Sequence, residues 1–131
     1  MTRINVGVDP SELNTKMLIA EHREIKRIPN VIKSGRFNMD NQPKEFTLGT
    51  GHVKFFYDKI GFLKERYVRI HEECIKRGFD ATNFINSFEN IPSNLMGSYN
   101  PTQKDRELIL NRISERLNNG TWVNRTKSIQ N

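Results

Sequence analysis

Wound at about 100° per residue, Leu13, Met17, Leu18, Ala20, Ile25, Ile28 and Ile32 fall within one broad arc. That spacing predicts a helix with one face turned to a core. The helix should run from about Ser11 into the low thirties, after the cap and proline signals of Asp9-Pro10-Ser11. Residues 1–10 read as an extended arm. Pro29 should kink this helix rather than end it, because apolar positions resume at Val31 and Ile32. From Ser34 to Thr50 the chain turns to Gly, Asn, Asp, Gln and Pro, the composition of a surface loop. A second helix is predicted from around Val53 to Arg77, with Phe55, Phe56, Ile60, Leu63, Tyr67, Ile70, Cys74 and Ile75 on its apolar side and Gly78 as its C′ residue. Residues 79–101 scatter Phe84, Ile85, Phe88, Ile91, Leu95 and Tyr99 among turn formers, which reads as irregular chain packed onto a core. Pro101-Thr102 should open a third helix with Leu108, Ile109, Ile113 and Leu117 inside, stopped by Asn118-Asn119-Gly120. No alternating β-branched run is long enough to build a sheet. The expectation is an all-α chain, a single compact domain over 1–131 of three helices with long packed loops, an N-terminal arm at 1–10 and a polar tail at 121–131.

Composition sharpens this. With 35% apolar and 27% charged residues in 131, the chain can close one small core and has none of the ~18-residue apolar stretches that span a bilayer. No apolar segment of a secretory signal is readable near the start, so a cytoplasmic location is expected. One cysteine, Cys74, rules out an intrachain disulfide and a cysteine-rich zinc site. His22, His52 and His71 share no ligand spacing, so no metal or other cofactor is expected, and His52 is assigned to fixing the GTGHV turn. Lys plus Arg number 21 against 15 Asp plus Glu, a formal charge of +6. Such an excess on a small domain points to a polyanion, nucleic acid first, because each cation set against a phosphate releases counterions. The cations cluster in Arg23/Lys26/Arg27/Lys33/Arg36, in Lys59/Lys64/Arg66/Arg69, in Lys76/Arg77 and in Arg106/Arg112/Arg116. Small size and the lack of a spare apolar stripe favour a monomer.

Two features carry candidate chemistry. On the wheel of the first helix Glu24 shares the angle of Leu13, Met17, Ala20 and Val31, with Arg27 at one edge, Glu21 toward the other and Arg23 further round. A carboxylate on an apolar face must be paired or have its pKa raised, and both occur at catalytic sites. It is either a structural partner of Arg27 or Arg23, or a functional acid. The second feature is the amino terminus. Methionine before a small residue such as Thr2 is ordinarily trimmed, which would give Thr2 a free α-amine titrating near ~7.7–8.0. Arg3 and Arg23 would lower that value further. Such an amine can attack an electrophilic sugar carbon and form an imine.

MTRIN at the start, SEL followed by LIAEHREIKR, FTLGTGHVKFFYDKIGFLKERY, ECIKRGF and a late TW resemble the pyrimidine-dimer DNA glycosylases of phage and chlorella virus, the family often called endonuclease V. The resemblance spans nearly the whole chain. It implies a small all-α enzyme, phage-encoded and acting in the host cell, that is both glycosylase and apurinic/apyrimidinic lyase on ultraviolet-damaged duplex DNA. It sets the nucleophile on the α-amine of Thr2 and the essential acid on Glu24. Arg3, Arg23 and Arg27, with Lys33 beside them in the same basic cluster, become DNA contacts, as do Arg112 and Arg116 of the third helix. It also implies expulsion of the base opposite the lesion.

This sequence departs from the family in three places. Only Trp122 remains of an aromatic, lysine-rich WYKYYG-like tail, Lys16-Met17 replaces a Gln-His pair, and the loop from Gly35 to Phe46 is shorter and less basic. Trp122 could stack on a base at the lesion or cover the core. The departures touch lesion reading more than imine chemistry. Two other readings therefore stand beside dimer repair: a glycosylase/lyase for another damaged or modified base, and a noncatalytic basic DNA-binding protein.

Overall fold

The Asp9-Pro10-Ser11 signal opens one turn of helix and no more. In the computed structural model, which describes residues 2–118, Pro10–Glu12 is a single 3-10 turn, with the Asp9 carboxylate accepting from the Ser11 N–H and the Glu12 carboxylate from the Asp9 N–H. Leu13 is then extended, and α1 (Thr15–Glu24) starts afresh under Asn14, whose Oδ1 accepts from the Met17 N–H at 2.9 Å. The expected start at Ser11 is thus four residues too early, because two caps compete and the second has the longer helix behind it.

The kink falls where proline chemistry requires. Pro29 has no N–H for the Ile25 carbonyl, and its ring crowds that oxygen. The chain divides there into α1 and α2 (Arg27–Lys33), while Ile25 and Lys26 keep right-handed helical dihedrals.

The second predicted helix begins later than its periodicity suggests. Lys54–Phe56 is a separate 3-10 turn and α3 spans Ile60–Lys76. Tertiary contacts explain the delay. Lys59 forms an isolated antiparallel bridge with Met96, the Gly97 N–H donates to the Asp58 carbonyl, and the Phe62 N–H donates to the Gly97 carbonyl. Gly61 admits this backbone, since a Cβ there would lie 2.6 Å from the Met96 oxygen. Phe55 and Phe56 are buried in either arrangement, so their spacing does not separate the two. Ile75, expected on the apolar side, is exposed.

The end of α3 follows the prediction. Gly78 has φ +90, its N–H donates to the Ile75 carbonyl and the Phe79 N–H to the Cys74 carbonyl, the two bonds of a Schellman cap. Residues 79–101 pack down through the short turns Ile85–Phe88 and Ser93–Leu95, with Phe88 and Leu95 buried. Thr102 and Asp105 exchange hydrogen bonds at the head of α4 (Gln103–Asn118), and the Tyr99 hydroxyl also donates to Asp105. Among the described residues the fold is all-α, without a strand or a helix long and apolar enough to cross a membrane. The predicted helix stop at Asn119-Gly120 and the tail at 121–131 lie outside the described residues.

The arm is as much a part of the core as any helix. Ile4, Val6 and Val8 are buried with Leu18, Ile25, Phe56, Leu63, Ile70 and Ile109. The irregular arm satisfies only part of its own backbone, the Val6 N–H donating to the Ile4 carbonyl and the Val8 N–H to the Asn5 carbonyl. Glu21 and Arg66, both almost fully buried, provide partners. Arg66 Nε and Nη2 donate to the two Glu21 oxygens at 2.5 and 3.0 Å, Arg66 Nη1 donates to the Val8 carbonyl at 3.0 Å, and the Asn5 amide donates to Glu21 at 2.7 Å. Nearby, His22 Nε2 lies 3.0 Å from His71 Nδ1 and 3.1 Å from the Tyr67 hydroxyl. Burial, then the charges of His71 and Lys26, pushes the His22 imidazole down to about 4.

Breaking the Glu21–Arg66 pair from one side should cost roughly 3–5 kcal/mol, because the remaining charge stays buried without its partner. Denaturant titration should show Arg66→Met losing that much, and Glu21→Gln with Arg66→Met losing less than the two single changes added. For the histidine, a folded pKa below the usual ~6.5 means the unfolded chain takes up more protons, so stability is complete above that pH and falls as pH drops toward 4. Urea midpoints measured from pH 7 to 5 should fall for the wild type. They should fall less for His22→Gln, which has no imidazole to protonate; the remainder comes from His52, which burial also depresses.

Candidate active site

The apolar stripe of α1 does not close at its C-terminal end. Met17 and Ala20 run out to Glu21, Arg23 and Glu24 at a cleft of about 250 Å³, which the arm walls with Arg3 and Asn5 and α4 with Ile113 and Arg116. The acid that the wheel set on an apolar face is therefore at the wall of a concave site. The Glu24 side chain is 14% exposed and Arg23 Nη2 lies 3.5 Å from its Oε2, while the Arg23 side chain is 58% exposed. Of the two structural partners weighed for Glu24, Arg23 is the one in reach; Arg27 is exposed and forms no ion pair among the described residues. A single contact with so exposed a partner contributes about 0–1 kcal/mol.

Cations crowd the cleft. Burial, then Arg116 and Arg112, pushes the Arg3 guanidinium down to about 10, with Glu24 opposing the shift. Arg116 Nε is buried with no hydrogen-bond partner among the described residues. Elsewhere the positive charge is spent on the fold. Arg66 is locked to Glu21, Arg69 to Asp9, Arg77 to Glu73, Arg106 to Glu12 and Lys59 to Asp58. The Lys59/Lys64/Arg66/Arg69 run is thus mostly paired, while Arg3, Arg23 and Arg116 line one cleft where the arm, α1 and α4 meet. No group of three or more His, Cys, Asp or Glu able to hold a metal occurs among the described residues.

The arm reaches this site by a fixed route. The Ile4 N–H donates to His52 Nε2 at 2.9 Å, and His52 Nδ1 lies 2.8 Å from the Thr47 carbonyl, so the ring is neutral with its proton on Nδ1. Thr2, half-buried, is covalently next to Arg3 at the cleft wall and is not itself part of that wall.

The pyrimidine dimer DNA glycosylase family matches residues 1–87, two thirds of the chain. The chain belongs to that family. As a glycosylase of this family it acts on DNA, and the matched stretch holds the arm, α1, α2, the loop and α3. Arg112 and Arg116 fall outside the match, yet Arg116 lines the same cleft as Glu24 and Arg112 bears on Arg3 there. Lys33 is exposed on α2, away from the cleft wall, with Nζ 3.4 Å from the Asn86 carbonyl. Trp122 lies outside the described residues.

Sequence reading passed over Asn5, Glu21 and Arg66 as a unit. A signal for Arg66 did exist. It stands within the stripe Ile60, Leu63, Tyr67, Ile70, Cys74, where a charged side chain needs a buried counter-charge. Its partner, 45 residues away, stands likewise on an apolar face, three residues after Leu18 and four before Ile25, both buried.

Proposed function

We propose that the whole chain works as one glycosylase/lyase domain on cyclobutane pyrimidine dimers in duplex DNA, through an imine between the α-amine of Thr2 and sugar C1′. The observation that carries this reading is the meeting of Glu24 with the arm in a cleft rimmed by arginines. Removal of Met1 frees the Thr2 nitrogen. The surrounding guanidiniums favour its neutral form, since like charges disfavour protonation. The nitrogen lone pair attacks C1′ and the C1′–N1 bond breaks, its electron pair leaving with the pyrimidine, which takes up a proton. Loss of the amine proton and opening of the sugar ring give the imine. Abstraction of a C2′ proton then expels the 3′ phosphate by β-elimination. Glu24 stabilises positive charge developing on the sugar and carries protons during ring opening and elimination.

DNA is held by phosphate contacts from Arg3, Arg23, Arg27, Arg112 and Arg116, with Lys33 extending the track and Trp122 available to stack on a base. The Arg116 Nε supports this, because a buried donor without a partner among the described residues suits an anionic ligand. In this reading the protein acts as a monomer in the cytoplasm.

Borohydride reduction on abasic-site duplex tests the chemistry. The processed protein should become covalently trapped, Glu24→Gln should lower the rate by about 10²–10⁴, and a blocked terminus should abolish trapping. No trapping by the processed wild type would reject the enzyme in favour of a noncatalytic DNA-binding protein. Equal cleavage of dimer-containing, oxidised and undamaged duplexes would reject the dimer as substrate. The cleft arginines have a separate readout. Log affinity for duplex should fall with log salt, and Arg112→Gln or Arg116→Gln should each flatten that slope by about 1.

A further inference from the structure

We propose that His52 is a positioning residue for the reaction: its neutral ring clamps the arm at Ile4 and so fixes where the Thr2 nitrogen enters the cleft. This rests on the imine reading above and adds to it a residue that touches neither DNA nor the reacting atoms.

Below Ile4 the arm is fastened repeatedly, by the Asn5 side chain on Glu21, by Arg66 on the Val8 carbonyl and by Arg106 on the Gly7 carbonyl. His52 fastens the arm at Ile4, next to Arg3 of the cleft wall, and it does so through a backbone N–H. Two residues separate that N–H from the Thr2 nitrogen, a reach of at most about 7 Å. Rotation at Ile4 would therefore move the nucleophile by much of that length. An attacking atom must be held about 3–3.5 Å from its target, and a displacement of 1 Å can cost on the order of 100-fold in rate.

The ring is itself held for this task. The Thr47 carbonyl accepts from the Nδ1–H, which leaves Nε2 as the acceptor, and the rings of Phe46 and Phe56 flank it at 5.4 and 5.5 Å. Arg3 of the arm and Glu21 of α1 are the charged groups that bear on it, with opposite effects. Thr47 and His52 thus act as a splint, passing the geometry of the loop before α3 to the arm.

The test compares wild type with His52→Leu and His52→Gln, since a glutamine can accept from Ile4 and donate to Thr47. Three measurements are made on the processed full chain: Ile4 amide hydrogen exchange, affinity for abasic-site duplex, and the single-turnover rate of borohydride trapping. The proposal expects faster Ile4 exchange in His52→Leu, affinity within about twofold of wild type, and trapping slower by roughly 10–100-fold, with exchange and rate largely restored in His52→Gln. Equal trapping by wild type and His52→Leu would overturn it while leaving the imine reading intact. So would equal losses of affinity and rate in both variants, the mark of a residue needed only for folding. A wild type that traps nothing overturns the reading of the site, and the role in catalysis with it.

Discussion

A carboxylate and a guanidinium removed from water must satisfy each other almost completely, and the Glu21–Arg66 pair organises this protein around that requirement. Its worth lies less in net stability than in what it forces to coincide. Arg66 comes from the middle of α3 and Glu21 from α1, while their remaining hydrogen-bonding capacity goes to Asn5 and Val8 of the arm. Three segments distant in sequence are thereby set in one register. Without that register the arm would be eight residues of irregular chain with buried Ile4, Val6 and Val8 and no ladder to hold them. With it, Arg3 and Asn5 become one wall of the cleft in which Glu24 stands.

The same constraint sorts the charge. Glu21 of α1 and Asp9 and Glu12 at the end of the arm take up Arg66, Arg69 and Arg106, so the formal excess of six positive charges is not spread evenly. Arg3, Arg112 and Arg116 come close enough together that Arg112 and Arg116 weaken the hold of Arg3 on its proton. A glycosylase must draw in a polyanion and also keep an acid where charge develops on a sugar. On the proposed mechanism both needs are met within one turn of α1, by Arg23 and Glu24 side by side.

Much of this was legible from residue order. Local rules locate the kink at Pro29 and the Schellman cap at Gly78, since each depends on atoms within five residues. They fail at the start of α3, where periodicity runs on from Val53 and the bridge from Lys59 to Met96 interrupts it. They fail also at Ser11, where a valid cap supports a single turn. At the site, the wheel marks Glu24 as anomalous because a carboxylate on an apolar stripe is visible from one helix alone. Asn5 and the clamp from His52 to Ile4 carry no comparable mark.

The sequence by itself determined the all-α class, the kinked first helix, the cap of α3 and the family, because these rest on spacing and on motifs read along the chain. It also raised the question of Glu24. Only the tertiary structure decided that Arg23 and not Arg27 is the neighbour in reach of that acid, that α4 brings Arg116 to the cleft, and which arginines are neutralised before any ligand arrives. The physical reason is distance. A counter-charge acts over a few ångströms of space, and the partner that supplies it here stands up to 94 residues away in the chain, as Arg106 does from Glu12.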